Sequence, residues 1–117
     1  MATGVITKVT AVGLILDSET TLYTVPTGQQ LIHVDATFCN TDDSTERTFD
    51  LHMVPVGSAS AAGNQVVNGV AGTSGLRAGD TGFFSNDPML GAGDTIRAVA
   101  SLTNVISYRL GIVLEEL

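Results

Sequence analysis

The chain has 117 residues, enough for one domain built around one hydrophobic core. Apolar residues make up 44% and charged residues only 15%, which excludes a chain disordered by composition. Twelve acidic against five basic side chains give a formal charge of -7, which repels a phosphate backbone and argues against nucleic acid as a partner.

The cations Lys8, Arg47, Arg77, Arg97 and Arg109 are scattered and form no basic stripe. Cys39 is the single cysteine, so no disulfide can form within one chain, which fits folding in a reducing cytoplasm. The opening Met1-Ala2-Thr3-Gly4 lacks the basic start and apolar run of a signal peptide. No apolar run is long enough for a membrane helix. The expectation is a soluble chain with no export signal and no membrane partner.

Along the chain the dominant period is two. Val5 to Val9 and Val12 to Leu16 read as two short β-prone stretches, and Thr20 to Val25 as a strand stopped by Pro26-Thr27-Gly28. In Leu31 to Cys39, the side chains of Ile32, Val34, Ala36 and Phe38 share one face, and His33, Asp35 and Thr37 the other. In Arg47 to Val56, Phe49, Leu51 and Met53 oppose Thr48, Asp50, His52 and Val54. The polar stretch between these two strands, Asn40 to Glu46, reads as a hairpin loop. Gly63 to Gly75 has no clear period. Thr81 to Ser85, Ile96 to Leu102 and Val105 to Leu114 read as three further strands. In the last, Ile106, Tyr108, Leu110 and Ile112 alternate with Ser107, Arg109 and Gly111. With no amphipathic helix in the pattern, the predicted fold is all-β: an antiparallel two-sheet sandwich of about eight strands, jelly-roll-like.

One phrase occurs twice. Leu76-Arg77-Ala78-Gly79-Asp80-Thr81 returns as Leu90-Gly91-Ala92-Gly93-Asp94-Thr95. Neither copy has the lysine or the spacing of a phosphate-binding loop. Each stands just before a β-prone run, so both read as glycine turns entering strands.

Sites of chemistry are sparse. If the two central strands paired across a hairpin, His33 would oppose His52 and Asp35 would oppose Asp50, a set that could hold a divalent metal. Nothing in the spacing fixes such geometry, and the closely spaced His-x-His of a cupin is absent, since Val34 and Asp35 follow His33. Gly72-Thr73-Ser74-Gly75-Leu76 is not a nucleophile elbow. Cys39 has no evident basic partner, and Asp42-Asp43 with Glu46 lacks the spacing of a calcium loop. The expectation is no catalytic residue, no metal and no cofactor. With Trp absent, a carbohydrate-binding platform is also disfavoured.

The stretch Thr21-Leu22-Tyr23-Thr24-Val25-Pro26-Thr27-Gly28, then Phe38-Cys39-Asn40-Thr41, Met53-Val54-Pro55-Val56-Gly57 and Leu90 to Ser101, resembles a group of small bacteriophage virion proteins. The resemblance spans about Thr20 to Ser101, and its motifs are β-turn signatures rather than site residues. It implies a β-sandwich building block of a virion: a capsid cement or decoration protein that binds the major capsid protein and self-associates as a homotrimer. It also implies a place on the capsid surface after synthesis in the host cytoplasm. A tail, baseplate or fibre component of the same fold is the alternative within that group. A small cupin-like metal enzyme using His33 and His52 is the alternative of another class.

Residues 1–17 precede the resembling region and carry few charges. They are expected to form a docking arm or an extra strand ahead of a sandwich domain at residues 18–117. Val5, Ile6, Val9, Leu14, Ile15 and Leu16 are the expected partner-docking side chains.

Overall fold

A computed structural model describes residues 4–67 and 76–117. Eight strands run through them: β1 (Ile6–Ile15), β2 (Thr20–Thr24), β3 (Gln29–Asn40), β4 (Phe49–Val54), β5 (Gln65–Val67), β6 (Thr81–Asn86), β7 (Thr95–Ala100) and β8 (Ile106–Glu116). A single 3₁₀ turn at Ala62–Asn64 leads into β5. The unpatterned stretch from Gly63 thus begins as ordered chain. Its residues 68–75, with the Gly72 to Gly75 sequence weighed as a nucleophile elbow, lie outside the described residues.

The strands form two four-stranded antiparallel sheets. Sheet A has the order β1-β8-β3-β6 and sheet B the order β2-β7-β4-β5. Strand partners nest: β1 with β8, β2 with β7, β3 with β6, β4 with β5. This is one long ribbon bent between β4 and β5 and rolled up, with β8–β3 and β7–β4 closing the roll laterally. The fold is an eight-stranded jelly roll, as its strand pattern predicts.

Between the sheets lies a core built by period-two alternation. Val34, Ala36 and Phe38 of β3 and Ile106, Leu110, Ile112 and Leu114 of β8 face Phe49, Leu51 and Met53 of β4 and Ile96, Ala98 and Ala100 of β7. The rings of Phe38 and Phe49 meet across the sandwich with centroids 4.4 Å apart and planes tilted by 32°. Two expectations about facing fail. Ile32 was expected inside, but a bulge between Leu31 and His33 makes it the extra residue, and Leu31 is the buried one. Val54 was expected outside and is buried.

The largest correction concerns β3 and β4. They are not a hairpin: β3 lies in sheet A and β4 in sheet B. The side chain of Asn40, fully buried, explains why the chain crosses over. Its Nδ2 donates to the carbonyls of Thr45 and Leu76, both at 2.9 Å, and its Oδ1 accepts from Asp42 N–H at 2.9 Å. Asp42 in turn accepts from the N–H groups of Ser44 and Thr45 and from the Arg47 guanidinium. The Ser44 amide and then Arg47 hold its carboxyl at about 2. The stretch read as a hairpin loop is thus a hydrogen-bonded crossover.

The repeated phrase performs the same task twice. In the first copy Asp80 N–H bonds Arg77 C=O across a four-residue turn, and Gly79 takes φ of 76°. In the second, Asp94 N–H bonds Gly91 C=O and Gly93 takes φ of 85°. Each turn then grips a strand end by two backbone bonds. Gly79 N–H reaches Asn40 C=O while Asn40 N–H reaches Asp80 C=O; Gly93 N–H reaches Val25 C=O while Val25 N–H reaches Asp94 C=O. The leucine that starts each phrase makes an isolated bridge, Leu76 to Arg47 and Leu90 to Leu31.

Candidate functional site

Alternation in sheet A also decides what its outer face presents. On β1, Val9, Ala11 and Ile15 turn inward, and Ile6, Lys8, Thr10, Val12 and Leu14 turn outward. Register then lines the outward residues into rows that cross all four strands. Val12, Arg109, Thr37 and Phe83 make one row; Thr10, Gly111, Asp35 and Ser85 make the next. At the near end, Lys8 and His33 flank Val113 from either side.

Apolar side chains stand out of this face at both of its edges. Val12 on β1 is 66% exposed and Phe83 on β6 is 81% exposed, with Ile6 and Leu14 also exposed along β1. At the centre, Gly111 contributes no side chain. The result is a shallow hollow bounded by Asp35, Thr37 and Arg109 on one side and by Lys8, Thr10 and Val113 on the other.

Beside the hollow, His33 lies between two carboxylates. Its Nδ1 is 2.5 Å from Asp87 Oδ1 and its Nε2 is 3.0 Å from Asp35 Oδ1. Asp87, and after it Asp35, raises the imidazole above its ordinary range by hydrogen bonding. Ser85 Oγ donates to Asp35 Oδ1 at 2.7 Å, and that bond is the larger reason, ahead of His33, why the Asp35 carboxyl is lowered. Both ring nitrogens are occupied, and the serine hydroxyl addresses the carboxylate rather than the imidazole. The group is therefore a pinned ion cluster, without the nucleophile–base contact that acyl transfer requires.

The docking residues expected from sequence separate into two groups. Val5, Ile6, Leu14 and Leu16 are exposed. Ile15 is fully buried in the chain's own core, and Val9 packs against that core, so neither is presented to a partner by the folded chain. The reason is the continuity of β1: one ten-residue strand replaces the two stretches read from sequence, and from Val9 onward its odd-numbered residues fall inward. Val12 and Phe83 were missed. The signal for Phe83 was present in Phe83-Phe84, since adjacent aromatics in a strand must point to opposite faces.

His52 projects from β4 in sheet B, paired with Arg97 of β7, while His33 belongs to sheet A. The two histidines are on different sheets, and the expected opposition of Asp35 with Asp50 fails for the same reason. Among the described residues, no three His, Cys, Asp or Glu side chains are grouped to hold a metal ion. Arg97 is held by Glu19 and donates to Thr95 Oγ1 at 2.8 Å.

No protein-family model matches this sequence, and no curated protein matches it. Solved structures do match in shape. A subunit of the Bacillus endospore appendages, described as disulfide-linked pili, superposes with a TM-score of 0.57 at 12% identity, covering 98% of this chain and 89% of that one. A chain of the cyanophage Pam1 capsid asymmetric unit gives 0.54 at 14% identity, covering 98% and 87%. A chain of the acid-stable capsid of Helicobacter pylori bacteriophage KHP30 gives 0.52 at 11% identity, covering 97% and 90%. At these identities the likeness shows a shared fold and nothing finer.

Proposed function

We propose that this chain is a structural virion protein of a bacteriophage, a cement or decoration protein that binds and stabilises the major capsid shell. The observation that carries the reading is the outer face of sheet A, where Val12 and Phe83 stand exposed at the two ends of one row and Ile6 and Leu14 are exposed along β1. Burying such side chains against a shell contributes about 25 cal/mol per Å² of apolar surface. The virion-like turn signatures in the sequence support the same reading. So does the jelly-roll fold, which the two phage capsid chains share. In this reading the protein performs no catalytic step and uses no cofactor. Its docking residues are Val5, Ile6, Val12, Leu14 and Leu16, and residues 1–17 act as the leading strand of a docking surface.

The test is co-sedimentation with capsids that lack the protein. Val12→Asp with Leu14→Asp should leave a cooperatively folded protein, because both side chains point out of the core, and should remove the protein from the particle fraction. Full occupancy by this variant would overturn the assignment of the surface. Sedimentation with tails instead of shells would favour the tail or baseplate alternative.

A further inference from the structure

Sheet A ends, among the described residues, in β1 on one side and β6 on the other, each with a strand partner along one edge only. Such edges offer unpaired backbone groups to another strand. The direction of travel is also fixed. All neighbours in sheet A are antiparallel, so a second copy placed in the same orientation brings its β1 antiparallel to the first copy's β6.

We propose that copies of this chain join edge to edge, β6 of one copy pairing with β1 of the next, in the register that carries each row of sheet A on into the following copy. The rows dictate three cross-copy pairs. Phe83 falls beside Val12, Ser85 beside Thr10, and Asp87, which follows β6 and touches His33, beside Lys8. The first joins two exposed apolar groups, the second two small hydroxyls, and the third opposite charges.

Charge selects this arrangement over its rivals. Lys8 is the only charged residue in β1, and β6 from Thr81 to Asn86 has none. Pairing β1 with β1 about a two-fold axis leaves Lys8 without an acid, and pairing β6 with β6 brings Asp87 no cation beyond the His33 of its own chain. A slip of two residues moves Asp87 from Lys8 to Thr10 or Ile6, and a slip of one turns every side chain to the wrong face. A chain of charge -7 repels its copies, so a contact that spends its one β1 cation on an acid is favoured. The contact is heterologous. It closes into a ring where the rotation per copy permits, a trimer being the form the resemblance to virion proteins implies, and otherwise runs on as a filament.

This inference does not depend on the virion reading, because it is tested on purified protein with no particle present. In a Cys39→Ser background, Thr10→Cys and Ser85→Cys are made as separate proteins, mixed and oxidised. These positions lie at opposite edges of a four-stranded sheet with strands ~4.8 Å apart, too far for a bridge within one chain. A disulfide-linked dimer containing one chain of each type is expected from the mixture, and none from either protein alone. Adding Lys8→Glu to the Thr10→Cys protein should cut the yield about tenfold, and Asp87→Lys on the other protein should restore it. Absence of the mixed dimer, dimerisation of Thr10→Cys by itself, or a yield indifferent to Lys8→Glu would each overturn the proposal.

Discussion

The two glycine turns share five of six residues in sequence and the same backbone bonds in space, yet they are braced differently. The turn at 76–81 is secured from outside, by the buried Asn40 side chain reaching Leu76 C=O. The turn at 90–95 is secured from within. Asp94 accepts Gly91 N–H at 2.9 Å inside the turn and Val56 N–H at 2.8 Å beyond it. Room differs too. A methyl group built on Gly79 would meet nothing within 4 Å, whereas on Gly93 it would approach Val56 Cγ2 to 3.0 Å. A repeated phrase therefore specifies a turn and its grip on a strand end. Its surroundings decide how tightly that grip is held.

Four changes sharpen or break the comparison. The largest is Asn40→Leu, which leaves the carbonyls of Thr45 and Leu76 and the N–H of Asp42 without their partner. It should cost roughly 3 kcal/mol or more in chemical denaturation. A loss below about 1 kcal/mol would mean that water replaces the side chain and that the first turn needs no external brace. Next is Asp94→Ala, expected to cost about 2 kcal/mol through two lost charge-assisted bonds. Thermal unfolding that matches the parent protein would remove the distinction between inner and outer bracing.

The third test sets the glycines against each other. Alanine at either must adopt a left-handed backbone, worth about 1–2 kcal/mol. Gly93→Ala should exceed Gly79→Ala by roughly 1 kcal/mol, because Val56 must also give way. Equal losses would show that Val56 moves aside freely. The smallest effect is one of pH, in the crossover beside the first turn. Asp42 is lowered from 3.8 to about 2 by the Ser44 amide and Arg47. A depressed carboxyl contributes stability that is complete above its unfolded value and lost as pH falls through its folded one. Its share should therefore fade only between about pH 4 and about pH 2. Asp42→Asn should flatten that part of the acid limb, and an unchanged slope there would exclude the carboxylate as a brace.

The sequence made the faces legible, but not the neighbours. Period two identified the inward side of β3, β4 and β8 almost residue by residue, because burial acts on side chains that alternate along a single strand. Which strand lies beside which is set by contacts distant in sequence, and alternation is silent on them. The polar stretch after Asn40 looked like a hairpin because its composition suits a turn. The buried bonds of Asn40 to Thr45 and Leu76 that make it a crossover leave no periodic trace. Ile32 was misplaced because a bulge shifts phase without any glycine to announce it. For the outer face, the low charge of residues 1–17 pointed to β1. Reading β1 as two pieces hid the outward phase of Val12 and the inward phase of Ile15.

The nesting of strand pairs also sets how this molecule reaches its folded state. Within sheet A, Ile15 pairs with Ile106 and Ile6 with Glu115, so the longest pairing joins segments separated by most of the chain. The entropy of bringing such ends together must be lost before their contacts contribute, which places folding in the slow range of milliseconds to seconds typical of non-local β topologies. As long as β1 is unpaired, β8 has an open edge. A newly made copy then has two choices for its β8, its own β1 or a neighbour's.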